Sequence, residues 1–233
     1  MPFDPTRIKA ICFDVDGTLR NTDDQYTLRF ERYFRLIRWL LPGRDSHRFA
    51  RRLVMWAEAP GNRLLSIPDR LHIDDELARF GDWLQARRVG GRDHEYTIIP
   101  GIPEMLAALQ PHYKMAVVSA RSKRGTQGFI DHFDLGSFFA CIVSAQTAVR
   151  TKPFADPVQW AMEQMGVGPE ETVMVGDTTV DLLAGRAAGT QTVGVLCGFG
   201  EREELEREGA DLILDTTPEL AGVLELANRR TGE

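Results

Sequence analysis

The chain has 233 residues, with 34 acidic against 28 basic side chains and a formal charge of −6; at roughly 150 residues per domain, that length predicts one large domain or a core carrying an insertion. Hydrophobic residues at 43% and charged residues at 27% are ordinary for a globular protein and exclude disorder as the general state. No apolar run approaches the roughly 18 residues needed to cross a bilayer, and Met1 to Ala10 lacks the charged-then-apolar order of a secretory signal, so the expectation is a soluble, cytoplasmic protein without a membrane partner.

The first strand signal is Ile8 to Phe13, a short run rich in strand formers that stops at Asp14-Val15-Asp16-Gly17-Thr18. From Asp24 to about Val89 the pattern turns helical. Leu28, Tyr33, Leu36, Ile37, Leu40 and Leu41 fall near 3.6-residue spacing, Pro42-Gly43 interrupts, and Phe49, Leu53 and Trp56 resume. Leu77, Phe80, Trp83 and Leu84 mark a further helix. This stretch is also chemically distinct: residues 24–88 hold thirteen Arg, no Lys and nine acidic residues. Its positive balance reads either as an electropositive lid for an anionic substrate or as a solvated face. Its aromatic residues read as core.

After Pro100-Gly101-Ile102-Pro103, strand-like and helix-like pieces alternate. Helix Glu104 to Leu109 precedes strand Met115 to Ser119, helix Lys123 to Phe133 and strand Ala140 to Ser144. Helix Asp156 to Met165 precedes strand Thr172 to Val175, helix Val180 to Ala188 and strand Thr192 to Leu196. A short helix near Glu201 to Glu208, strand Ala210 to Leu214 and a helix from Pro218 finish the chain. Such alternation predicts an α/β fold, a parallel sheet with helices on both faces, whose ligand site lies at the carboxyl ends of the strands. Cys12, Cys141 and Cys197 are widely spaced in apolar runs and predict reduced packing residues rather than disulfides or a zinc site. The five histidines show no metal-ligand spacing.

The polar residues ending these strands carry the chemistry. Asp14 and Asp16 end the first and Ser119 the second, Lys152 follows the third, and Gly176-Asp177 ends the fourth with Asp181 four residues on. Four carboxylates, a hydroxyl and an ammonium would gather at one edge. Clustered carboxylates suit a hard cation such as Mg²⁺, which in turn neutralises a phosphoryl group that Ser119 and Lys152 can hold. A carboxylate can attack phosphorus directly, and a second one nearby can protonate the leaving group and then activate water.

Asp14-Val15-Asp16-Gly17-Thr18-Leu19 resembles the first motif of the haloacid dehalogenase superfamily, Ser119 its second, Lys152 its third, and Gly176-Asp177-Thr178-Thr179-Val180-Asp181 its fourth, in the right order. The layout is similar to that of capped members, in particular a phosphoglycolate phosphatase-like subgroup. The resemblance implies a Rossmann-like core of three layers, α/β/α, from residues 1–22 and 97–233, with an all-helical cap inserted over 23–96. It implies Asp14 as nucleophile and Mg²⁺ ligand, and Asp16 as general acid and base that lends its backbone carbonyl to the metal. Asp177 would be the second carboxylate ligand, and Asp181 would hold a metal-bound water or Lys152. Ser119, Ala120 and Lys152 would bind the phosphoryl group, helped by the amides of Val15, Asp16 and Ala120. Two positions depart from the pattern: Ala120 stands where many relatives carry Asn, and Arg20-Asn21 where many capped phosphatases place an Asp.

The leading expectation is a Mg²⁺-dependent phosphomonoester hydrolase acting on a small phosphorylated metabolite through a phospho-aspartate, as a monomer or homodimer. A sugar phosphomutase of the β-phosphoglucomutase type shares all four motifs. A receiver-like phospho-acceptor also uses acids, a hydroxyl and a Lys on a parallel sheet, but an adjacent general base serves a lasting phospho-signal poorly. Asp16 disfavours a dehalogenase, and a phosphonate hydrolase is similarly disfavoured. Nucleic acid is not an expected partner, since the core is acidic and carries no reading motif. Gly198-Phe199-Gly200 resembles a substrate-side loop or reads as a plain turn.

Overall fold

The apolar run that opens the chain forms β1 over Ala10–Phe13. It starts later than its hydrophobicity suggests, because the Ile8 amide donates to the Pro5 carbonyl of a short 3-10 turn at 3.3 Å. The computed structural model describes residues 3–21 and 96–231, with side chains followed to residue 225. The helices expected between 24 and 89, and the cap over 23–96, lie outside the described residues.

From residue 102 onward, α1 Ile102–Leu109, β2 Lys114–Val118, α2 Lys123–His132, β3 Cys141–Val143 and α3 Asp156–Met165 are followed by β4 Thr172–Gly176, α4 Thr179–Ala188, β5 Gln191–Val195, α5 Arg202–Arg207, β6 Leu212–Leu214 and α6 Glu219–Thr231. Helix α1 begins two residues before its expected start, since Pro103 sits in its first turn, where the missing amide hydrogen costs nothing. Strand β6 begins later than expected. Ahead of it, the Asp211 carboxylate accepts from the Thr192 amide at 2.8 Å, so a side chain takes the place of a ladder carbonyl.

Among the described residues the sheet has the order β3-β2-β1-β4-β5-β6, and every neighbouring pair is parallel. Both faces are covered, and the strands alternate between them. Ile11 and Phe13 of β1, Met115 and Val117 of β2, and Val173 and Val175 of β4 pack with Leu106 of α1, Phe129 of α2 and Leu220 of α6. Ala10, Cys12, Ala116, Val118 and Met174 face Val158 and Met162 of α3 and Ala184 of α4. The result is a three-layer α/β/α core. Full burial of a side chain such as Phe13 stabilises it by roughly 1.5–3 kcal/mol over exposure. The three cysteines are free thiols.

Strand order reverses at β1, which has β2 on one side and β4 on the other. Such a reversal opens a crevice at the carboxyl ends of the strands, where ligands of this architecture bind.

Candidate active site

Sheet register decides which residues meet in that crevice. Phe13 pairs with both Val117 and Val175, so Asp14, Ser119 and Asp177 all lie one or two residues past the paired ends. The Asp14 amide donates to the Val175 carbonyl at 2.9 Å, holding the chain beside β4 as it leaves the sheet. Asp181 enters from the first turn of α4. There its carboxylate accepts from the Thr178 amide at 3.1 Å and the Thr178 hydroxyl at 2.7 Å, a capping arrangement that fixes the side chain. Lys152 comes from the loop between β3 and α3.

These groups form one buried cluster. Asp14, Asp177 and Asp181 offer carboxylate oxygens that all lie within 4.8 Å of one another. The Lys152 ammonium donates to Asp14 Oδ1 at 2.6 Å and to Asp181 Oδ1 at 2.5 Å. Both oxygens of Asp181 are thereby engaged. Asp177, with 0% exposure, accepts from the Phe199 amide at 2.7 Å and, weakly, from the Thr18 hydroxyl at 3.4 Å. Among the described residues no cationic side chain lies within ion-pair distance of it.

Three buried carboxylates against one ammonium leave the cluster short of positive charge. Burial pushes the Asp14 carboxyl up to about 7, with Asp181 and Asp16 adding to the rise and Lys152 opposing it. Asp177 is raised well above the ordinary carboxylate range, first by burial and then by Asp181 and Asp14. Burial alone would depress Lys152, yet Asp14 and Asp181 outweigh it and the ammonium is held more firmly than usual. The two directions agree: one cation gains from two acids, whereas each acid faces burial and its neighbours. All-oxygen donors with an unmet charge fit a divalent cation held by Asp14 and Asp177.

Glycines make room for this arrangement. A Cβ on Gly17, at φ +79°, would stand 2.2 Å from Asp177 Oδ2, and one on Gly198 would stand 2.1 Å from the same oxygen. No other residue fits either position without moving the carboxylate. Gly198-Phe199-Gly200 is therefore a support for Asp177. The turn after β1 is tied down from below, since the Thr217 hydroxyl donates to the Thr18 carbonyl at 2.6 Å and the Cys197 thiol to the Gly17 carbonyl at 3.4 Å. Neither residue belongs to a motif.

The other expected residues lie around the cluster. Ser119 is buried, and its hydroxyl accepts from the Arg121 amide at 3.2 Å, while Ala120 is exposed. Among the described residues the amides of Val15, Asp16 and Ala120 donate to no protein acceptor. The carboxylate of Asp16 turns away from the cluster to Arg121 and Arg20.

Comparison with known proteins agrees with this layout. A model of the haloacid dehalogenase-like hydrolase family matches residues 65–195. The pyrophosphatase PpaX of Anoxybacillus flavithermus is 28% identical over 227 residues, covering 95% of this chain and 99% of its own. A phosphoglycolate phosphatase of Pseudomonas putida is 27% identical over 220 residues, covering 91% and 78%. Among solved structures, a subfamily IA hydrolase of the superfamily from Geobacter sulfurreducens is 25% identical, with a TM-score of 0.62 over 96% of this chain and 100% of its own. With a three-layer parallel core, acids at the reversal of strand order and a family match across more than half its length, the chain belongs to the haloacid dehalogenase-like hydrolases.

Proposed function

We propose that this enzyme, a phosphatase of its family, hydrolyses a small phosphorylated metabolite through a phosphorylated Asp14, with Mg²⁺ as cofactor. The observation that carries the reading is the Asp14 carboxylate at the carboxyl end of β1, held at Oδ1 by Lys152 and grouped with Asp177 and Asp181. Relatives of nearly equal length that are named pyrophosphatase support phosphoryl chemistry.

Asp14, Asp177 and the backbone carbonyl of Asp16 would hold the cation, which when bound neutralises the carboxylates and the phosphoryl oxygens. Lys152 orients Asp14 and, with the Ser119 hydroxyl and the amides of Val15, Asp16 and Ala120, receives the phosphoryl oxygens. An Asp14 oxygen attacks phosphorus, the bond to the leaving oxygen breaks, and Asp16 delivers a proton to that oxygen. Asp16 then takes a proton from water as the water oxygen attacks phosphorus. The Asp14–phosphorus bond breaks, and free phosphate and the starting carboxylate remain. Residues 23–96 are the proposed lid, which would exclude water from the first step.

The test is phosphate release from p-nitrophenyl phosphate and from a panel of phosphoglycolate, pyrophosphate and sugar phosphates, with Mg²⁺ or with EDTA. Phosphate release that EDTA removes and Mg²⁺ restores supports the reading. Chelator-resistant turnover, or an isomerised sugar phosphate without free phosphate, overturns it.

A further inference from the structure

Two guanidiniums converge on Asp16, the candidate-site carboxylate that lies outside the buried cluster. Arg121 Nη1 stands 2.7 Å from Asp16 Oδ1, and Arg20 Nη1 stands 3.3 Å from the same oxygen. The two arginines differ in their surroundings. Arg20 has a side-chain exposure of 4% and lies 5.2 Å over the Tyr96 ring, fixed within the turn that follows β1. The Arg121 side chain is 27% exposed.

The backbone of Arg121 is anchored on both sides. Its amide donates to the Ser119 hydroxyl at 3.2 Å, and its carbonyl accepts from Ala145 at 2.8 Å. A fixed stem beside the proposed phosphoryl hydroxyl thus carries a head that solvent reaches. Among the described residues, the head makes its hydrogen bond through Nη1 alone. A guanidinium has five donors in a planar fork that matches a carboxylate or phosphate edge.

We propose that Arg121 determines specificity by binding a second anionic group of the substrate, a carboxylate or phosphate on the leaving group close to the scissile phosphoryl. The proposal rests on the phosphatase reading for where the phosphoryl group sits. Asp16 keeps the guanidinium at the site before substrate arrives, and the donors it does not use receive the second anion. A substrate whose leaving group is neutral gains nothing there. Arg20, enclosed and already over Tyr96, is not placed to make that contact.

The test measures binding of two inert probes to the Mg²⁺-supplied enzyme by calorimetry: phosphonoacetate, which carries a carboxylate beside its phosphonate, and methylphosphonate, which does not. Hydrolysis of p-nitrophenyl phosphate is measured alongside. The wild type should bind phosphonoacetate at least about tenfold more tightly. Arg121→Ala should bring that ratio towards one, and Arg121→Lys should restore part of it. Arg121→Gln, closer in shape, gives the same reading should the Ala variant not fold. Equal weakening of both probes is what a merely structural role produces, and it overturns the proposal, as does a wild-type ratio near one. Should the wild type fail to hydrolyse p-nitrophenyl phosphate with Mg²⁺, the phosphatase reading falls and this proposal with it; hydrolysis without discrimination between the probes removes the proposal alone.

Discussion

The two halves of the site are built differently. Around Lys152, two carboxylates share one ammonium and a third, Asp177, lies beside them without a cationic partner among the described residues, all in near-complete burial. Around Asp16, one carboxylate is shared by two guanidiniums, one of which reaches solvent. On the proposed reading the inner half takes a cation and the outer half receives an anion. A phosphate ester bound together with a divalent cation and bearing a charged leaving group would satisfy both. The separation would let two acids two residues apart take the different roles proposed for them: Asp14 faces the cluster, and Asp16 faces the arginines.

The largest effect that can break this picture is at the inner half. Asp14→Asn should lower kcat for p-nitrophenyl phosphate by at least roughly a thousandfold, while the circular dichroism spectrum is unchanged. Its metal-free melting temperature should not fall, because the substitution removes one of three mutually repelling buried carboxylates. Retained activity would sink the nucleophile assignment.

Lys152→Met comes next. Taking the ammonium from a buried group of acids should cost about 3–5 kcal/mol in urea unfolding without metal, and less with Mg²⁺ present. A cost below 1 kcal/mol in EDTA would mean that Lys152 does not hold the cluster together.

A pH series tests the same charge imbalance with a smaller signal. Asp14 is raised from 3.8 to about 7 in the folded chain, and Asp177 shifts in the same direction. Between the unfolded and folded values the native state keeps protons that the unfolded chain has lost, so metal-free stability falls as pH rises through that window. Mg²⁺, by favouring the ionised carboxylates, should flatten the slope, and Asp14→Asn should remove the Asp14 share of it. A metal-free stability that rises over this range would contradict the burial argument.

The smallest effect concerns the support beneath. Thr217→Val removes the hydroxyl that donates to the Thr18 carbonyl at a fully buried site and should cost about 1–2 kcal/mol, with kcat changed far less than in Asp14→Asn.

The sequence made some of this legible and not the rest, for physical reasons. The alternation of strands and helices is visible because both faces of a parallel sheet are buried, so each strand is a short apolar run ending abruptly in polar residues. Asp14, Ser119 and Asp177 are legible from that ending alone. Lys152 sits on a loop without periodicity, and its placement between Asp14 and Asp181 depends on tertiary packing that only the family resemblance anticipates. The Asp16–Arg121 pair joins residues 105 positions apart, and no local pattern records it. The same holds for Gly198, whose meaning depends on how closely its loop approaches Asp177. The Arg-rich stretch from 24 to 88 lies outside the described residues, and its reading as a lid rests on sequence.

The central claim is that Asp14 carries the phosphoryl group. Asp16→Ala, which lacks the proposed general base, should still release p-nitrophenolate, whose departure needs little help from an acid. Mixed with p-nitrophenyl phosphate and Mg²⁺, quenched in acid and reduced with borohydride, this variant should show a burst of about one p-nitrophenolate per chain and homoserine at position 14 in peptide mass spectra. A burst with the modification at another carboxylate, or with none at position 14, would contradict the account.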